Sequence, residues 1–295
     1  MNLRTISFSD GITLAWAESS WIQHMLPSDS VKKSIVRTLL RPPISQFLSS
    51  RFEGALTIDG RTFWLADILE LIDHVAPEPI VTAIFANQRR QPPRIYIWLR
   101  SRDGARFVKL GTYRDQEKFH NEAKILKCVK LPQGIRTLSP LLVAEFNTLQ
   151  LLVSEGLEQK EHVIKTRMLT EDILINFSSS ELLAKGFFGG PIHGDLASNN
   201  VFRLKNEILI VDWEHGSVSG PDYCDLIELG SARALGSASS QNGVEDVRKH
   251  LELLIGFSPT HAEVIEGLRF LESCGSNNAS KIIVSSNLKS SRFIV

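Results

Sequence analysis

The chain has 295 residues, 43% of them hydrophobic and 22% charged, which is enough for two compact lobes or one large domain with a buried core. Thirty-three Lys and Arg balance thirty-three Asp and Glu, so the totals give no electrostatic case for nucleic acid or an anionic membrane surface as a partner. Cys128, Cys224 and Cys274 are scattered and form no CxxC pair, which argues against a disulfide scaffold or a zinc cluster and for a reducing, cytoplasmic setting. The opening MNLRTISFSDGITLAW lacks the basic start and apolar core of a signal peptide, and no apolar run approaches the roughly 20 residues that span a bilayer.

The first eighty residues carry weak signals. Ile12–Ala17 reads as a strand, and Ser28 or Asp29 can cap a helix through Val31, Ile35 and Leu39–Leu40 that Pro42–Pro43 would stop. Thr57–Ile58, Asp59–Gly60 and Thr62–Phe63–Trp64 predict a hairpin on a type I′ turn. The spacing of Leu65, Ile68, Leu69 and Ile72 predicts a helix, and the segment from His74 to Pro79 reads as a linker. Residues 1–79 are therefore expected to be an N-terminal extension packed on the lobe that begins at residue 80.

From residue 80 the pattern sharpens. Ile80–Phe85, Arg94–Arg100 and Arg106–Leu110 are expected strands, with Arg102-Asp103-Gly104 turning between the last two. A helix is expected over roughly Asp115–Val129, then strands Leu141–Phe146 and Leu149–Val153 around the turn Asn147-Thr148. Residues 80–155 thus form a small antiparallel sheet lobe with one helix. Residues 156–274 read as mainly helical, with helices near Val244–Leu254 and over Pro259–Ser273, where Ser258 is the expected N-cap. The Ser- and Asn-rich segment 275–295 is expected to be a loosely held tail. The expected fold class is α+β, a sheet lobe followed by a helical lobe.

The chemistry concentrates in His193-Gly194-Asp195-Leu196-Ala197-Ser198-Asn199-Asn200, with Ile210-Val211-Asp212-Trp213-Glu214 a short distance on. Phosphoryl transfer from ATP needs a carboxylate beside the acceptor hydroxyl and hard oxygen ligands for Mg²⁺. Asp195 suits the first task; Asn200 and Asp212 suit the second. Val201–Phe202 and Ile208–Val211 are expected to form a small hairpin that fixes those two ligands.

These motifs closely resemble the catalytic loop and metal segment of the aminoglycoside phosphotransferase and choline kinase family of small-molecule kinases. The resemblance covers roughly residues 80 to 272. It implies a protein-kinase-like, two-lobed fold, with an antiparallel-sheet N-lobe and a mainly helical C-lobe. It implies ATP and Mg²⁺ as cofactors and a small-molecule hydroxyl as acceptor. Carried over, Asp195 is the catalytic base, Asn200 and Asp212 are metal ligands, and His193 braces the loop. Asp225 is similar to the family's buried aspartate that anchors the catalytic loop through backbone N–H groups. Lys109, in the strand Phe107-Val108-Lys109-Leu110, is the expected lysine for the ATP phosphates. Its expected helix partner is Glu122, with Glu117 and Asp115 as alternatives. Glu155 and Leu157, where the fifth strand of this lobe ends, are expected to bind adenine through backbone groups.

Two features depart from the family pattern. The segment Asn87-Gln88-Arg89-Arg90-Gln91-Pro92-Pro93 has no glycine where a glycine-rich phosphate loop is expected. The stretch between Gly156 and His193 is also short for an antibiotic-modifying member. The strand-turn-strand pattern through Arg102–Gly111 is similar to that of phosphotransferase-like proteins of surface-polysaccharide production. That makes a sugar or glycan hydroxyl the preferred acceptor. A nucleotide-binding pseudokinase with a regulatory or scaffold role is the alternative.

Overall fold

In a computed structural model the described residues are 3–7, 12–16, 50–87, 92–131, 133–157, 192–196, 200–204, 207–221, 223–236, 243–255 and 258–286. The helix expected after Ser28 and the residues Arg89–Arg90 lie outside them. The fold is α+β. The chain divides into two compact units, one of Met1–Ala123 and Leu138–Ile164, the other of Lys124–Thr137 and Lys165–Val295.

The first unit is built on eight strands: β1 (Arg4–Ser7), β2 (Ile12–Trp16), β3 (Ser50–Arg51), β6 (Ile80–Asn87), β7 (Arg94–Ser101), β8 (Gly104–Thr112), β10 (Pro140–Phe146) and β11 (Leu149–Glu155). They form one sheet in the order β10-β11-β8-β7-β6-β2-β1-β3. Every neighbouring pair is antiparallel. A separate hairpin, β4 (Ala55–Ile58) and β5 (Arg61–Trp64), turns on Asp59 and Gly60, whose φ values of 51° and 74° make the expected type I′ turn. It runs directly into helix α1 (Leu65–Ile72).

Leu65, Ile68 and Ile72 recur at helical spacing and are buried beside Leu56, Ile58 and Phe63 of the hairpin. They share a core with Ile95, Ile97 and Leu99 of β7, Val108 and Leu110 of β8, and Leu151 and Val153 of β11. Each such side chain contributes about 1.5–3 kcal/mol by leaving water. Because side chains alternate along a strand, Lys109 and Leu152, paired across β8 and β11, face the other side of the sheet. There Leu152 packs with Phe119 and Ala123 of helix α2 (Gln116–Cys128). Residues 1–79 contribute β1, β2 and β3 to the same sheet as residues 80–155, and Leu3, Ala15 and the β4–β5 hairpin share its core. Lys124–Thr137 groups with the second unit, whereas the expected boundary lay at 155/156.

In the second unit, β9 (Ile135–Arg136), β12 (Val201–Arg203) and β13 (Ile208–Ile210) make a sheet in the order β12-β13-β9. The β12–β13 pair is the expected small hairpin. Beyond it come helices α3 (Cys224–Gly236), α4 (Gly243–Ile255), α5 (His261–Ser273) and α6 (Asn277–Ser285). Their buried faces, among them Ile227, Val247, Leu251, Leu268, Leu271 and Ile282, form one core with Ile210 and Trp213.

Two expectations fail here. The N-cap of α5 is Thr260, which forms a capping box with Glu263, rather than Ser258. The expected loose tail carries helix α6 within its described residues, 275–286. Gly275, at φ 94°, closes α5 with the paired bonds Gly275 N–H to Glu272 and Ser276 N–H to Leu271. Ser276 then caps α6, and Ala279, Ile282 and Ile283 are buried at helical spacing. Among the described residues no helix is long and apolar enough to cross a membrane.

Candidate active site

Lys109 sits in the middle of β8 on the face covered by α2, and that placement determines its partner. Its Nζ donates to both carboxylate oxygens of Glu122, at 2.8 and 2.7 Å, and both side chains are buried. Apolar residues would fill such a position at lower cost than two desolvated charges, so an ion pair held here calls for a chemical reason. The other two helix residues considered for this partnership are excluded by the same geometry. Asp115 belongs to Arg94, whose Nε and Nη2 donate to Oδ1 at 2.8 and 2.6 Å, while Oδ2 accepts the Thr112 N–H at 3.0 Å. Glu117 is exposed. Glu155 is exposed at the end of β11, with its N–H bonded to the Ser139 carbonyl, and Leu157 is buried just beyond.

In the second unit the His193–Leu196 segment is held from several directions. Ile192 and Ser217 exchange backbone hydrogen bonds at 2.7 and 2.9 Å. Gly194 has φ 77°, and a Cβ there would collide with the His215 carbonyl oxygen, so both backbone shape and close approach require glycine. The Asp225 carboxylate, buried near the start of α3, accepts the N–H of His193 on Oδ2 and of Gly194 on Oδ1, both at 2.9 Å.

The protonation of His193 is set by its neighbours. Nε2 faces the Val211 carbonyl at 2.9 Å and must donate; Nδ1 accepts the Asp195 N–H at 3.2 Å. The ring is therefore the neutral Nε2–H tautomer, and it ties the Asp195 backbone to the strand end that precedes Asp212. Trp213 packs against it with ring centroids 4.6 Å apart.

Asn200 donates through Nδ2 to the Asp195 carbonyl at 2.8 Å and to its Oδ2 at 3.2 Å, which turns the amide oxygen the other way. Its own carbonyl accepts the Val211 N–H at 3.0 Å, so hairpin pairing sets the spacing of Asn200 and Asp212. Asp212 is left-handed, at φ 69° and ψ 56°, and leads into a 3₁₀ turn, Trp213–His215. A non-glycine residue in that conformation stores strain, a feature common at functional sites.

Three acidic groups, Asp195, Asp212 and Glu214, interact electrostatically here. Burial and then the Asp212 charge hold the Asp195 carboxyl above its ordinary range; His215 and the Asn200 hydrogen bond oppose this, and Glu214 adds to it. Burial lifts Asp225 to about 6, with the His193 and Gly194 N–H bonds working against the rise. The oxygen donors gathered here fit a hard divalent cation, with Asp212 and the Asn200 amide oxygen as the matching ligand types.

The sequence reading passed over two residues beside this centre. His215 donates Nδ1–H to the Cys274 carbonyl at 2.8 Å and turns Nε2 toward Glu214 Oε1 at 3.3 Å. Glu228, one turn after Asp225 on α3, is buried and accepts from Ser276 Oγ at 2.6 Å and Asn278 Nδ2 at 2.8 Å. A lone histidine and a lone helix glutamate carry no pattern of their own; their partners lie far along the chain.

No protein-family model matches the chain. No curated protein matches it either. Among solved structures, the bifunctional kinase–methyltransferase WbdD is 17% identical with a TM-score of 0.35, over 66% of this chain and 47% of that one. The chain thus spans about half the length of WbdD. A thermostable mutant of aminoglycoside phosphotransferase APH(4)-Ia, in ternary complex with ADP and hygromycin B, is 10% identical with a TM-score of 0.45, over 75% of this chain and 95% of that one.

Proposed function

We propose that the chain is a phosphotransferase that moves the γ-phosphoryl group of ATP to a hydroxyl of a small molecule. The observation that carries this reading is the state of Asp195. It is a carboxylate on a loop fixed by Asp225 and His193, bonded by Asn200, and raised in proton affinity by burial and Asp212.

On this reading Asp195 orients the acceptor hydroxyl and takes its proton as the oxygen attacks; its raised proton affinity brings it nearer to that task. Lys109, held by Glu122, meets the donor phosphates as a fixed positive charge. Glu155 and Leu157 offer backbone groups to the adenine edge. Asn200 and Asp212 would hold Mg²⁺, which when bound neutralises charge on the phosphate oxygens. His193 and Asp225 do no chemistry and keep the loop in place. A sugar or glycan hydroxyl is the favoured acceptor class, and the cytoplasm, where ATP is abundant, is the favoured setting.

The glycine-free segment Asn87–Pro93 favours a second reading, a nucleotide-binding pseudokinase. Transfer of labelled phosphate from ATP, with Mg²⁺, to a panel of sugars, aminoglycosides and amino alcohols separates the two. A phosphorylated product supports the kinase. Tight Mg²⁺–ATP binding with no product on any compound supports the pseudokinase.

A further inference from the structure

Glu228 is a carboxylate with no accessible surface, and its partners are Ser276 and Asn278, both from the segment that begins α6. A leucine or methionine would fill the same space on α3 without a buried charge to compensate, so packing alone does not account for a glutamate here. Burial lifts the carboxyl to about 7, and the two donors pull it back down. Three residues earlier on the same helix, Asp225 grips the backbone of His193 and Gly194. The axial position and roll of this helix therefore reach the Asp195 loop directly.

The same turn touches the other half of the site. The Cys274 carbonyl accepts from His215 Nδ1, and the His215 ring lies against Gly275, where a Cβ would stand 3.2 Å from Nδ1. His215 ends the 3₁₀ turn that opens at Asp212. The turn's own shape is over-determined: Gly275 is left-handed, both closing bonds of α5 are made, and Ser276 caps α6 through the Ala279 N–H at 3.1 Å. One rigid five-residue turn thus holds α3 through Glu228 and the Asp212 segment through His215.

We infer that the α5–α6 turn, residues 274–278, is a positioning device for the candidate site, with Ser276, Asn278 and Glu228 as its positioning residues. It sets the Asp195 loop through the α3 helix and the Asp212 segment through His215, and it touches neither nucleotide nor acceptor. Its catalytic consequence rests on the phosphotransfer reading; its structural consequence does not.

The test is amide hydrogen exchange on the full chain, wild type against Asn278→Ala, Asn278→Asp and the swap Glu228→Gln with Asn278→Asp. Loss of one hydrogen bond to a buried carboxylate predicts exchange ~10-fold faster or more at His193, Gly194 and Val211–Gly216 in Asn278→Ala. Amides of β7 and β8 should be unchanged. Asn278→Asp should be worse, because two carboxylates then face each other. The swap, in which the Gln amide donates to the new Asp, should restore protection. Faster exchange confined to 276–286, or an equal rise at every slow amide, overturns the inference, as does a swap that fails to rescue. In the phosphotransfer assay, Asn278→Ala should lower kcat, and the swap should restore it. If the wild type transfers no phosphate yet the exchange pattern appears, the functional reading fails and the positioning stands.

Discussion

Asp225 and Gly194 lie 31 residues apart in the chain, yet Asp225 Oδ1 accepts the Gly194 N–H at 2.9 Å while Oδ2 accepts that of His193. One buried carboxylate thus satisfies two successive backbone donors that face away from water. Asp225→Ala orphans both, at about 1–3 kcal/mol each, and should lower the urea midpoint accordingly. Asp225→Asn keeps the shape but presents an amide nitrogen to one of the donors. It should be less destabilising, yet still lower phosphotransfer, since the loop loses a fixed contact. Equal stability of wild type and the Ala variant would contradict this role.

Lys109 and Glu122 test the sheet side of the account. Removing one member of a buried pair leaves the other uncompensated, so Lys109→Met should cost about 3–5 kcal/mol in urea unfolding. Lys109→Met with Glu122→Leu should cost clearly less than the two single changes added together. Strict additivity in that cycle would mean that the contact carries no coupling. Turnover should be lost in both variants that lack the lysine.

The two raised carboxyls on α3 set a direction for stability against pH. Folded values near 6 for Asp225 and 7 for Glu228 lie above their ordinary values, so the folded chain keeps protons that the unfolded chain releases. Their contribution is complete at acid pH, falls as pH rises through the window from about 4 to about 7, and is flat above it. Glu228→Gln removes one titrating group. Between pH 5 and pH 7.5 wild type should therefore lose more unfolding free energy than the variant, by up to ~1.4 kcal/mol per pH unit. Parallel losses in the two proteins would contradict the raised Glu228.

Asp195 makes a matching prediction for rate. A base whose proton affinity is raised must be ionised to act, so kcat/KM should fall on the acid side at a pH above the ordinary aspartate range. A profile flat down to about pH 4 would exclude a raised Asp195 as the base.

What the sequence makes legible is what local rules encode. Asp59-Gly60 announces a hairpin, and the spacing of Leu65, Ile68 and Ile72 announces α1. Partners distant in sequence are not legible in this way. Asp115 reads as a possible mate for Lys109 until the start of β7 places Arg94 against it. The C-terminal error has a different cause. Ser- and Asn-rich composition suggests a loose tail, but Gly275 and Ser276 are the closing and capping residues of two helices, and Ala279, Ile282 and Ile283 recur at helical spacing. Position outweighs composition there. Thr260-His261-Ala262-Glu263 is likewise a capping box, a stronger start signal than Ser258-Pro259.

The most direct test of the central claim compares wild type with Asp195→Asn in two measurements, Mg²⁺–ATP affinity by calorimetry and phosphate transfer to the best acceptor found. The account predicts nucleotide affinity within a few-fold of wild type and transfer reduced by roughly 10²–10⁴, the range for losing a positioned general base. Transfer at an undiminished rate in the variant, or no Mg²⁺–ATP binding by the wild type, would contradict it.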